Sequence, residues 1–193
     1  MTRIIAGQLG GRTLATPRGA DTRPTTDRVR EAVFSRIESI FDLTGARVLD
    51  LYAGSGALGL EAVSRGAEWV TLVEVDRRTA RVIEANVAEL GLRAVARVHA
   101  EKVDRVLERG PGGETFDLVL LDPPYPVGEA ELATTLGLLI SGEWLSPDAL
   151  VVVERSARSP EPTWPQGLAL IRSRTYGETV VHLAEPSQAA DAE

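Results

Sequence analysis

Four consecutive residues, Asp122-Pro123-Pro124-Tyr125, concentrate more usable chemistry than any other segment of this chain. The two prolines fix the backbone and remove two N–H donors, which leaves the carbonyls and the Asp122 carboxylate as acceptors. Acceptors arranged this way suit a substrate that offers two N–H groups on one nitrogen. An amino group conjugated to a ring or an amide is such a substrate, and its delocalised lone pair makes it a poor nucleophile. Hydrogen bonds to Asp122 and the Pro123 carbonyl would orient that lone pair at an electrophile and stabilise the positive charge that develops. Tyr125 would offer a face for a flipped base to stack on. For an Asp-Pro-Pro on its own, a stiffened turn without chemistry is the plain alternative.

A second group lies upstream, in Asp50-Leu51-Tyr52-Ala53-Gly54-Ser55-Gly56-Ala57-Leu58-Gly59. Gly54, Gly56 and Gly59 satisfy the spacing of a dinucleotide loop, and the acid Glu74 follows at the end of the next apolar run. A nicotinamide-linked dehydrogenase is therefore the first rival. Asp50 argues against it, because a carboxylate at the mouth of the loop would repel a pyrophosphate. S-adenosylmethionine carries an ammonium and a sulfonium and no phosphate, so the same acid becomes favourable. The cofactor residues expected are Asp50, Gly54, Ser55, Gly56 and Glu74, with Glu74 accepting from the two ribose hydroxyls and Asp122 nearby. Tyr52 either borders the cofactor or packs at the strand end. Together the two groups point to methyl transfer onto an sp² amino nitrogen, with no metal and no covalent intermediate.

These residues need a scaffold that presents them at strand ends, and the apolar pattern supplies one. Strand-like runs fall at 47–52, 69–75, 94–98, 116–121 and 149–154, with helical stretches at 57–65, 77–90, 101–109 and 129–140. Strands fed by crossover helices make a doubly wound, mostly parallel α/β sheet, Rossmann-like in plan. Residues 168–175 and 179–184 leave no room for a helix between them and are expected as an antiparallel edge hairpin, which gives seven strands. Before the sheet, residues 3–6 and 12–16 read as a small hairpin arm, and an amphipathic helix follows with Thr26 or Asp27 as its cap. The expected division is an arm over 1–24, a catalytic domain over 25–184 and a frayed tail over 185–193. The arm is expected to be removable without disturbing the fold.

The 193 residues, 44% hydrophobic, suffice for one buried domain, and no apolar run is long enough to cross a bilayer. The first residues do not read as a secretory signal, so a cytoplasmic protein is expected. The absence of cysteine excludes disulfides, thiolate metal sites and a cysteine adduct. His99 and His182 lack partners at metal spacing and read as packing residues, as do Trp69, Trp144 and Trp164. The net charge of −7 is unevenly spread. Residues 1–30 hold six arginines against two aspartates, and the other 163 residues carry −11. Arg3, Arg12, Arg23, Arg28 and Arg30, with Thr25 at the helix start, are the candidates for phosphate contact. Ion pairs with Asp27 and Glu31 are the competing account.

The segments RIIAGQLGGRTL, TRPTTDRVREAVFS, VLDLYAGSGALGLEAVSRGA, LVEVD, LLDPPY and RTYGET resemble the RsmD family of 16S ribosomal RNA guanine-N2 methyltransferases, of the class I methyltransferase fold. The likeness runs over roughly residues 3–183, and TRPTTDRVREA is its most specific part. It implies a cofactor site at Asp50, Gly54, Gly56 and Glu74, the target amine at Asp122 to Tyr125, and RNA contacts from the arginines of the arm. Tyr125 keeps a stacking face where relatives have phenylalanine. No aspartate follows the third strand of the sheet where many methyltransferases place an acid for the adenine amine. Glu101 is the nearest candidate, with backbone near Lys102 as the alternative. The expected partner is ribosomal RNA within a small-subunit particle, and the expected state is a monomer. A DNA adenine or cytosine amino-methyltransferase, a protein glutamine methyltransferase and a non-catalytic RNA-binding module are the alternatives. The chain leaves little room for a duplex-reading region, Asn at 122 would have suited a glutamine target, and the intact loop and Asp-Pro-Pro-Tyr speak against the last.

Overall fold

A computed structural model describes residues 2–17, 27–124 and 127–187. Seven strands form one sheet: β3 (Arg47–Leu51), β4 (Trp69–Val73), β5 (Ala96–His99), β6 (Phe116–Leu121), β7 (Leu145–Ser156), β8 (Leu168–Tyr176) and β9 (Thr179–Pro186). Their order across the sheet is β5-β4-β3-β6-β7-β9-β8. The first five are mutually parallel, and β9 runs antiparallel between β7 and β8. Runs such as Val48–Leu51 and Leu118–Leu121 are buried throughout because both faces of the sheet are covered, so their hydrophobicity is continuous.

Helices α1 (Asp27–Glu38), α2 (Ala57–Ser64) and α3 (Arg77–Glu89) cover one face, packing Phe34, Leu60 and Ile83 with Val48, Leu120 and Val152 of the strands. Helices α4 (Val103–Glu108) and α5 (Glu129–Ser141) cover the other, where Leu107 and Leu136 meet Leu49, Val119 and Val151. Asp76 caps α3 by accepting from Thr79 N at 2.8 Å, as its position after β4 suggested. Strand β7 begins four residues earlier than its apolar run, and β9 extends through Pro186, beyond the expected start of the tail.

The arm is a small hairpin, β1 (Thr2–Arg3) paired with β2 (Thr13–Leu14), and it is built into the domain. Ile4 and Leu14 are fully buried in the α1–α3 face. Glu61 of α2 is buried and accepts from Ile5 N at 2.7 Å and Ala6 N at 3.0 Å. Ser64 receives Leu9 N, and Asn86 of α3 exchanges two hydrogen bonds with Ala15. Removing residues 1–24 would expose this apolar surface and take from Glu61 two of its hydrogen-bond donors. The expectation of a dispensable arm is therefore corrected.

Candidate active site

Strand order reverses between β3 and β6, since β4 and β5 continue to one side and β7 to the other. The crevice beyond the carboxyl ends of strands at such a reversal is where open α/β sheets hold ligands. Both chemical groups picked out above arrive there. Asp50 stands beside Leu120 in the β3–β6 register and Leu51 beside Leu121, so Asp122 follows on the neighbouring strand. Glu74 follows β4 directly on the other flank.

Asp50 is 1% exposed, and its Oδ2 accepts from Gly59 N at 2.8 Å. Its carboxylate thus sits behind the loop, anchoring the first turn of α2, and not at the mouth where the sequence placed it. Burial raises its pKa to about 7. The Gly59 hydrogen bond opposes that rise, and the charges of Asp122 and Glu74 add to it. Gly59 permits this arrangement because a Cβ there would stand 3.0 Å from Asp50 Oδ2 and 2.9 Å from Val70. Glu74 shapes the loop's other side by accepting from Gly54 N at 3.0 Å and Asp76 N at 2.8 Å. Gly54 and Gly56 hold left-handed backbone, with φ of 57° and 81°, and a Cβ on Gly54 would meet nothing within 4 Å. Gly54 therefore leaves open backbone on one side of the loop, and the charges of Asp122 and Glu74 both repel that of the buried Asp50. A cationic ligand relieves that repulsion and a phosphate aggravates it, so this donor set fits S-adenosylmethionine.

Tyr52 is the one non-glycine residue of the loop with positive φ, 65°, and its hydroxyl lies 3.1 Å from Thr135 Oγ1 of α5. It packs, partly buried, with the α4–α5 face. Ser55 contributes its carbonyl to Asn86 Nδ2 at 3.1 Å, so Asn86 ties the loop to the arm as well as to α3. After β6, Pro123 is buried and Pro124 exposed, and Pro124 O accepts from Val127 N at 2.9 Å. The far end of this loop is clamped by Arg155 of β7, which donates to Val127 O at 3.1 Å and to Glu129 at the start of α5. Tyr125, Arg23 and Thr25 lie outside the described residues. Glu101 follows β5 at the same edge, where it pairs with Arg109. Among the described residues no group of acids and histidines could hold a metal ion.

The basic set separates. Arg30 is 3% exposed, and its guanidinium is spent on Arg3 O and Asp27, with Glu61 3.9 Å away, so it is a packing residue and is withdrawn as a phosphate contact. Arg3 is exposed and paired with Asp27 at 3.0 Å. Arg12 is exposed and donates to Glu89 O, and Arg28 is exposed on α1. Asn86, Glu61 and Arg155 were not anticipated. Their signal was present as polar side chains on the apolar stripes of α2 and α3, and as a charge closing the run Val151–Val153.

The sheet order, the glycine loop and the proline turn at the switch point define a class I methyltransferase fold. A family described as "Conserved hypothetical protein 95" matches residues 2–185, and the chain belongs to this family, which is that of ribosomal RNA small subunit methyltransferase D. It is 37% identical to the Escherichia coli (strain K12) protein of that name over 181 residues, 94% of this chain and 88% of the relative. The Haemophilus influenzae protein of the same name is 36% identical over 91% of this chain and 89% of its own. The solved structure of Escherichia coli YhhF superposes with a TM-score of 0.83 at 36% identity, covering 97% of this chain and 98% of that one.

Proposed function

We propose that this protein transfers the methyl group of S-adenosylmethionine to the exocyclic N2 amine of a guanine in small-subunit ribosomal RNA. The observation that carries this reading is the placement of Asp122-Pro123-Pro124, directly after β6, next to the glycine loop that follows Asp50 of β3. A proline-stiffened acceptor pair and a cation-favouring loop then face one crevice. The relatives named as ribosomal RNA methyltransferases support an RNA target over a DNA or protein one.

When bound, the cofactor supplies an electrophilic methyl carbon, and every other task falls to the chain. Glu74 would hold the ribose hydroxyls with the acceptor capacity that Gly54 N and Asp76 N leave it. Gly54, Ser55 and Gly56 would let backbone approach the methionine portion, and Glu101 or backbone near Lys102 would meet the adenine. Asp122 and the Pro123 carbonyl would accept from the two N–H groups of the target amine, aim its lone pair and stabilise the cation formed as nitrogen is alkylated. Tyr125 would stack the flipped guanine. Arg12 and Arg28, with Arg3, Arg23 and Thr25, would position the RNA backbone. We assign the protein to the cytoplasm, acting as a monomer on a small-subunit particle.

The test is transfer from labelled cofactor to small ribosomal subunits, naked ribosomal RNA and DNA, with mapping of the modified atom. Label on guanine N2 of the RNA supports the assignment, and label on adenine N6 or cytosine N4 of DNA refutes it. Asp122→Ala should remove most turnover with cofactor affinity nearly unchanged, because its partner is the amine in the transition state. Equal losses in both would move Asp122 into the cofactor site.

A further inference from the structure

A basic track absent from any one stretch of sequence forms along the outer edge of the sheet. Strand β8 is the edge strand, and its nine residues include Arg172 and Arg174 and no acid. Both arginines are exposed, and neither makes an ion pair among the described residues. Arg47, Arg65 and Arg109, by contrast, are each paired with a glutamate, although Arg77, Arg78 and Arg81 of α3 are exposed without one among the described residues. Arg172 pairs in register with Leu183 and Arg174 with Val181, both of the cluster beneath α1, so the two arginines share the α1 side of the sheet. Arg36 of α1 and Arg172 line one groove of about 220 Å³, with Ile40, Phe41 and Ile171. The Arg174 guanidinium lies 5.5 Å from the ring centroid of Tyr176, a contact that steadies a long side chain while leaving its donors available.

The direction of the track matters. Strand β8 is antiparallel to β9, which is antiparallel to β7, so β8 runs parallel to β6 and rises toward the end that carries Asp122. Three strand spacings separate β8 from β6, or about 14 Å. The arm is held by Glu61 of α2, Asn86 of α3 and the first turn of α1, whereas β8 meets the last turn of α1 and the residues that follow it. Acidic residues bound the track: Asp148 and Glu185 line the groove near Arg172, and Glu178 at the hairpin tip pairs with Arg158. An acidic protein must bind a polyanion through such localised patches, since its overall field repels phosphate.

We propose that the β8 edge, through Arg172 and Arg174, is a second RNA-backbone contact, holding phosphates of the strand that flanks the target base on the side away from the arm. This rests on the reading of RNA as substrate. The experiment measures binding of a small-subunit ribosomal RNA fragment at several salt concentrations for the wild-type protein, R172A/R174A and R172E/R174E. Cofactor binding by calorimetry and thermal melting serve as checks on the fold. Two lost phosphate contacts should make the slope of log affinity against log salt shallower by about 1.4, at roughly 0.7 per contact with single-stranded RNA. The charge-reversed protein should bind more weakly than the alanine protein, with cofactor binding unchanged in both. If the wild-type protein neither binds nor methylates RNA, the functional reading fails. If it does both and R172A/R174A matches it in affinity and slope, the β8 assignment alone is overturned.

Discussion

Replacing Asp50 by asparagine tests the electrostatics of the site without dismantling its geometry, because the amide oxygen can still accept from Gly59 N. In the folded protein Asp50 titrates near 7, raised by burial and by Asp122 and Glu74 against the pull of Gly59, where the ordinary value is 3.8. The folded state therefore binds this proton more tightly than the unfolded chain does. Its ionisation costs nothing below the unfolded value. The cost accumulates as pH climbs from 3.8 to about 7 and is constant above that. At about 1.36 kcal/mol per pKa unit, the full cost is of the order of 4 kcal/mol. The new amide N–H₂ adds a pH-independent penalty of about 1–3 kcal/mol, so the slope is diagnostic and the offset is not. Urea denaturation of both proteins between pH 4 and pH 8 should show the stability of Asp50→Asn gaining on wild type by about 4 kcal/mol across this range. If S-adenosylmethionine binds here, its positive charge should expel the Asp50 proton. Calorimetry at pH 6.5 in buffers of different ionisation enthalpy would then detect up to one proton released by wild type and none by Asp50→Asn. Parallel stability curves for the two proteins would refute the argument that three crowded carboxylates prepare this crevice for a cation.

Ile4→Ala should destabilise the whole domain by about 2–5 kcal/mol in chemical denaturation, since Ile4 is fully buried in the main core despite its place in the arm. Arg155→Ala should release Val127 O and Glu129, lowering turnover through a loosened Asp122–Val127 loop while cofactor affinity stays unchanged. Arg155→Lys should recover part of the loss, and steady-state kinetics with cofactor titration separates this from a folding defect.

The architecture was legible because each element carries its own period and punctuation. Apolar runs at 47–52, 69–75 and 116–121 are too short for helices and too continuous for half-exposed strands, which leaves a sheet buried on both faces. Asp76 marks the start of α3, and the Tyr176-Gly177-Glu178 turn forces the hairpin. The site motifs were legible for a related reason: Asp50, Gly54, Gly56, Glu74 and Asp122 all stand at strand ends, and a parallel sheet brings its strand ends to one edge.

Direction and depth were not legible, because they depend on what packs against a residue from elsewhere in the chain. Asp50 reads as a mouth residue until α2 is laid over it and Gly59 N closes on its carboxylate. Arg30 and Arg28 are alike in sequence, yet a rotation of 200° around α1 sends one into the arm's backbone and the other to solvent. The arm looks like a basic appendage until Ile4 and Leu14 fill the core and Glu61 gathers its amides. Arg36 and Arg172 are 136 positions apart, and only the packing of α1 over the β9–β8 edge brings them to one groove. Local pattern, then, determined which elements form and at which end their chemistry collects. Burial, and with it every pKa and every charge left free for RNA, was decided by contacts between residues too distant in sequence to leave a periodic trace.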